Sequence, residues 1–149
     1  MACTMNTTDL TTYQSVVLQS RAHRAIKAHL TKSLKNRGIT MMQWSIIGLV
    51  ADAGNDGMRI SDLAHALDTS LAFITTSVNV LEAKGFVTRA GHAKDNRAKI
   101  VRLSPDFATQ VAAIEKDLAA KQKAELYKSI ETKDLAAYLR VLRHLAKLV

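Results

Sequence analysis

Apolar positions in the first third of the chain recur at helical spacing. Leu10, Tyr13, Val17, Ala22, Ala25, Ile26, Leu30 and Leu34 predict one helix from Asp9 to about Lys35. Asn36-Arg37-Gly38 supplies its stop, with Gly38 suited to a left-handed C-terminal position. Thr40-Met41-Met42-Gln43 fits a capping box and opens a helix through Trp44, Ile47 and Val50 that ends at Gly54-Asn55-Asp56-Gly57. Met58-Arg59-Ile60 reads as an isolated strand, and Ser61 as the cap of a short helix carrying Leu63, Ala64 and Leu67. After Asp68-Thr69-Ser70 a further helix runs to Lys84 and stops at Gly85. Its Leu71, Ile74, Val78 and Leu81 share one face, while Ala72, Thr75, Thr76 and Asn79 share the other. Two helices joined by a short turn, the second with a small polar outer face, make a helix-turn-helix pattern.

The period then changes. Phe86-Val87-Thr88-Arg89 and Lys99-Ile100-Val101-Arg102-Leu103 alternate apolar with polar, and the turn-forming residues Gly91 to Arg97 lie between them. That is a hairpin with a charged tip joined directly to the preceding helix: a wing. Ser104-Pro105-Asp106 opens another helix, with Ser at the cap, Pro in the first turn and Asp at the positive end. Phe107, Val111, Ile114, Leu118 and Leu126 line one of its faces. A final helix from about Thr132 carries Leu135, Leu139, Leu142 and Leu145, a seam too apolar for solvent on so short a helix. With Leu10 and Tyr13 it is the expected dimer seam; packing within one chain is the alternative. The fold class is mainly α: a winged helix-turn-helix with a small β wing, flanked by long N- and C-terminal helices forming a dimerisation region. The expected division of this one compact domain is 1–36 for the N-terminal helix, 37–103 for the winged lobe and 104–149 for the C-terminal helices.

Composition narrows the function classes. A formal charge of +8 makes an anionic partner, nucleic acid or a membrane surface, the first hypothesis. The longest strongly apolar stretch, Ile46 to Ala51, is too short to span a bilayer, and the N-terminus lacks the order of a secretion signal. A soluble, cytoplasmic chain is therefore expected, without a membrane partner. Cys3 is the only cysteine, so no disulfide framework follows, and an inert thiol is the expectation. The five histidines show no i, i+4 pair or acidic cluster, so neither metal nor cofactor is argued. An enzyme needs a nucleophile with a base, or clustered acids, and neither is present.

The charge is uneven. Arg21, Arg24, Lys27, Lys32, Lys35 and Arg37 stand between Leu10 and Ala51 with no acid among them. They read either as a solvated face or as a field that steers DNA. Between Phe86 and Leu103, Arg89, Lys94, Arg97, Lys99 and Arg102 oppose Asp95 alone. The helix from Ser70, in contrast, has no basic residue before Lys84.

The order of these parts resembles the MarR family of winged-helix transcriptional regulators. Gly38-Ile39-Thr40-Met41-Met42-Gln43-Trp44 is similar to that family's entry to its second helix, and Ile60-Ser61-Asp62-Leu63-Ala64 to its helix-turn-helix opening. Leu81-Glu82-Ala83-Lys84-Gly85-Phe86-Val87 resembles its Leu-Glu-x-Lys-Gly-Leu-Val junction. Asp95-Asn96-Arg97 and Val101-Arg102-Leu103-Ser104 resemble its wing and return strand. The chain departs from the pattern at His92-Ala93, where Asp-Pro is common, at Phe107, where Gly is common, and near Thr76, where Arg is often found.

The resemblance implies a homodimeric repressor with two winged lobes on a pseudo-palindromic operator in double-stranded DNA. The outer face of the Ser70–Lys84 helix would enter the major groove. Ser70, Thr75, Thr76 and Asn79 would then bond base edges or phosphates, with Asn79 suited to adenine. Ser70 is equally a helix cap. Ala72 offers contact to thymine methyls; Leu71 does too, although a core position is the stronger expectation for it. Arg97 at the wing tip suits a narrow minor groove, Asp95 would brace the hairpin, and Arg89, Lys94 and Lys99 are phosphate candidates. The resemblance also implies a pocket for a small aromatic or phenolic effector, near Arg21, His29, Met41 and Trp44, although an aromatic and a Met at a helix start are more often core. A non-specific nucleic-acid-packaging or helical interaction module is the alternative, which leaves the wing without a purpose.

Overall fold

A computed structural model describes residues 10–92 and 95–149. Helix α1 (Thr12–Leu34) starts from a capping box between Thr11 and Gln14, and a 3-10 turn (Lys35–Arg37) follows it. Gly38 takes the left-handed conformation expected of it, with φ 63° and ψ 27°. Helix α2 (Met41–Asp52) opens on the expected Thr40–Gln43 box, with the Gln43 amide donating to Thr40 Oγ1 at 3.1 Å. Strand β1 (Met58–Arg59), α3 (Ile60–Ala66) and α4 (Leu71–Ala83) form the helix-turn-helix with its lead-in. The wing is β2 (Val87–His92) and β3 (Asp95–Leu103). Helix α5 (Pro105–Lys121) runs into a π turn (Gln122–Leu126), and α6 (Thr132–Ala146) ends the chain's regular structure.

Four local expectations change. The Met58–Arg59 strand is not isolated: it pairs antiparallel with β3, giving a three-stranded sheet of order β1-β3-β2. Ser61 is not a cap, because α3 starts two residues earlier than that role requires, at Ile60, with Arg59 at the cap position in extended conformation. Ser104 holds the cap position of α5, but its hydroxyl donates instead to the Gly85 carbonyl at 2.6 Å, tying the end of the wing to its start. The wing strands also run further than the alternation suggested, with Gly91 opposite Lys99 and His92 opposite Asp95. Ladder pairing overrides the weak strand propensity of Gly and Asn there.

One core joins these parts. Leu34 of α1, Trp44, Ile46, Ile47 and Val50 of α2, Leu63 of α3, and Ile74, Val78 and Leu81 of α4 are buried in a single cluster. Val87 and Val101 of the wing and Phe107 and Leu118 of α5 complete it. Phe107, where the resemblance expected Gly, stacks on Phe86 with ring centroids 4.2 Å apart, so α5 packs against the wing's root. Arg37 donates to Asp117 of α5 at 2.7 Å, and this bond holds the Asp117 carboxyl below its usual pKa, with Lys121 adding to the effect. The pair is formed at neutral pH, and its contribution is lost as acid protonates Asp117. No helix among the described residues is long and apolar enough to cross a membrane.

Gly57 sits where the lead-in to β1 presses on β3, at φ 65° and ψ −168°, a region that only glycine occupies readily. A Cβ there would lie 2.5 Å from the Val101 carbonyl oxygen and 2.6 Å from Ile100 Cγ2. Gly57→Ala is expected to destabilise the fold by about 1–3 kcal/mol in urea unfolding. A midpoint equal to the wild type's would contradict this packing.

Candidate nucleic-acid interface

Helix α4 divides cleanly by burial. Ile74, Ser77, Val78 and Leu81 face the core, whereas Ala72, Thr76 and Asn79 lie exposed along the opposite side, with Thr75 half-buried beside them. Leu71 is 57% exposed, which corrects its expected place in the core. It stands at the first residue of α4, one turn before the buried Ile74. Ser70 Oγ accepts from the Phe73 amide at 3.1 Å, so its capping role is met in the free protein. Thr75 Oγ1 donates to the Leu71 carbonyl at 2.8 Å and Thr76 Oγ1 to that of Ala72 at 3.0 Å. With their protons turned into the helix, both hydroxyls present acceptor lone pairs outward. Base donors in the major groove are adenine N6 and cytosine N4.

The wing adjoins this face. Lys99 is exposed in β3 opposite Gly91. Arg89 is placed differently, its Nε donating to Glu82 Oε2 of α4 at 2.6 Å. Lys94 and Cys3 lie outside the described residues. So do the side chains of Asp95 and Arg97, although the backbone of both belongs to β3.

The four expected effector residues do not converge. Trp44 is core. His29 faces Glu125 of the π turn at 3.2 Å, its other ring nitrogen buried without a partner among the described residues. Arg21 lines a shallow groove with Leu10, Tyr13 and Val17. Met41 alone lines the large groove of about 1220 Å³ between α1 and the winged lobe. That groove has Arg24, Lys27, Lys32 and Lys35 on its α1 side, Ile39, Met41 and Met42 along α2, and Phe73 of α4 at its edge. Phe73, 48% exposed, escaped the sequence reading; its place outside the 74, 78, 81 stripe was the available signal.

Of the residues expected to form a dimer seam, Leu10, Tyr13, Leu139 and Leu145 are exposed, and Leu135 and Leu142 half-buried. Nothing on α6 is fully buried within the chain. Beside it, burial and the neighbouring Tyr138 push the Tyr127 phenol above its usual pKa. Among the described residues no group of three or more His, Cys, Asp or Glu is placed to hold a metal.

A helix-turn-helix with a two-stranded wing between long terminal helices defines a winged-helix protein. Residues 37–98 match the model of the MarR family. The chain is similar to a MarR family transcriptional regulator from a Rhodococcus species at TM-score 0.83 and 16% identity, over 95% of this chain and 98% of that one. It is similar to the regulator BldR of Sulfolobus solfataricus at TM-score 0.81 and 21% identity, over 92% and 95%. CouR of Rhodococcus jostii, in a structure with p-coumaroyl-CoA bound, aligns at TM-score 0.74 and 19% identity over 87% and 89%. No curated protein matches the chain. Residues 37–98 are thus similar to the MarR family, and the whole chain shares the fold of the solved MarR family regulators.

Ser70→Ala removes the acceptor for the Phe73 amide and is expected to lower stability by about 1 kcal/mol in thermal unfolding. An unchanged midpoint would show that the cap contributes nothing.

Proposed function

We propose that this chain is a sequence-specific DNA-binding transcriptional regulator, a repressor that grips a pseudo-palindromic operator as a homodimer. The observation that carries the reading is the exposed polar face of α4 beside a basic wing, on the MarR fold. Ala72, Thr75, Thr76 and Asn79 address base edges, and Ser70 and Leu71 flank them at the first turn. Arg97 enters the minor groove with Asp95 bracing the hairpin, and Lys94 and Lys99 contact phosphate. Because α4 lacks a basic residue before Lys84, no bidentate arginine contact to guanine comes from it. Charge therefore supplies affinity, and small polar groups with groove shape supply specificity.

Residues 1–36 and 104–149 serve as the dimerisation region and 37–103 as the reading lobe. The support is where exposed apolar area lies: Leu10, Tyr13, Val16, Val17 and Leu18 at one end of α1, and Tyr138, Leu139, Val141 and Leu145 on α6. An effector that releases DNA fits the groove rather than the four scattered residues. Four cations above an apolar floor suit an amphipathic anion, and the CouR structure, with its bound acyl-CoA, is one precedent on this fold. Because Phe73 belongs to α4, an occupant there would favour a lobe position unfit for the operator.

Selection of bound fragments from random DNA tests the reading, with affinities then compared between selected and random sequence at physiological salt. The expected result is an enriched motif and a ratio of at least about a thousandfold. A ratio near one would instead make the chain a packaging protein. On the selected fragment, Arg97→Ala is expected to weaken binding by about 1–3 kcal/mol in a gel-shift titration. Unchanged affinity in a folded variant would remove Arg97 from the interface.

A further inference from the structure

The polar tie between α4 and the wing carries a specificity role that charge alone would not suggest. Glu82 is the sole acid of α4, and it lies one turn beyond Asn79, near the helix's C-terminal end. On a helix that faces DNA, a carboxylate repels phosphate and lowers affinity. Its partner Arg89 is the third residue of β2 and shares a sheet face with Val87 and, across the ladder, Val101. Both valines are buried, so Arg89 projects inward, toward α4, and its side chain is only 23% exposed. Its Nε donates to Glu82 Oε2 at 2.6 Å.

The root of the wing is fixed by backbone bonds: the Phe86 amide to the Leu81 carbonyl at 2.9 Å, and the Ser104 amide to the Phe86 carbonyl at 3.0 Å. Beyond that root, the Glu82–Arg89 pair is a side-chain bond that joins hairpin to helix. We infer that Glu82 is a positioning residue for operator specificity: it clamps the wing to the reading helix through Arg89, so that major- and minor-groove contacts are made together. This inference rests on the regulator reading above. It gives Arg89 a role inside the reading head in place of the phosphate contact expected from sequence.

The proposal has an opposite-signed signature. Glu82→Gln keeps the side chain's shape and raises the formal net charge by one. Electrostatics alone then strengthens binding to any DNA. Loss of the clamp weakens only binding that needs both grooves at once. Affinity for random DNA should therefore rise or hold, while the selected-to-random ratio falls roughly fivefold to tenfold. The exchange Glu82→Arg with Arg89→Glu keeps the net charge of the wild type and rebuilds the pair in reverse, and it should recover most of the ratio. Thermal unfolding of each variant separates a lost clamp from a lost fold, and the exchange decides if Glu82→Gln does not fold. A ratio unchanged in Glu82→Gln, or not recovered by a folded exchange variant, would overturn the inference. Wild-type protein without selectivity would instead overturn the regulator reading, and the inference would fall with it.

Discussion

Three aliphatic side chains on one stripe of α4 decide what the rest of the molecule can present. Ile74, Val78 and Leu81 are fully buried, in one cluster with Val50, Leu63 and Val101. Each such burial stabilises by about 1.5–3 kcal/mol. Turning the helix to bring Thr76 or Asn79 inward would forfeit that and bury polar groups as well. The outward face is thus fixed by what lies behind it, and the reading chemistry is whatever that face carries.

A second layer of constraint is polar and links elements the core alone would leave loosely related. Arg37 ties the corner after α1 to Asp117 of α5. Lys84, at the end of α4, donates to the Gly38 carbonyl in that same corner. Arg102 donates to the Asn55 carbonyl at 2.7 Å, holding β3 to the loop that leads into β1. Helix α4 is consequently braced near its C-terminal end, by the α1–α2 corner at Lys84 and by the wing at Glu82. At its N-terminal end Phe73 borders the groove beneath the basic stripe of α1.

Much of this was legible in the sequence, because the strongest local signals coincide with the strongest tertiary demands. The stripe 74, 78, 81, the Thr40 box and the left-handed Gly38 each follow from spacing or residue type, and each is found. Leu71 was harder: helical spacing put it on the apolar stripe, but its side chain is exposed at the first turn of α4, where only Ile74 is buried. Ser61 and Ser104 have the residue type of caps, yet α3 already starts at Ile60, and Ser104, although at the cap position, gives its hydroxyl to the Gly85 carbonyl. The β1–β3 pairing, the Glu82–Arg89 pair and the scatter of Arg21, His29, Met41 and Trp44 depend on contacts between distant segments. No local pattern encodes those. Charge was read correctly in amount but not in use, since one of the wing's five cations spends its charge on a neighbouring acid.

The central claim is that two copies each present the exposed side of α4 to the major groove and the wing to the flanking minor groove. Footprinting the wild-type protein on a selected DNA site tests it most directly, with methylation at guanine N7 and adenine N3 reporting the two grooves separately. The account predicts two major-groove patches related by a two-fold and centred about one helical turn apart. Minor-groove protection should lie at the outer side of each patch. A single patch, or uniform protection without groove preference, would contradict it.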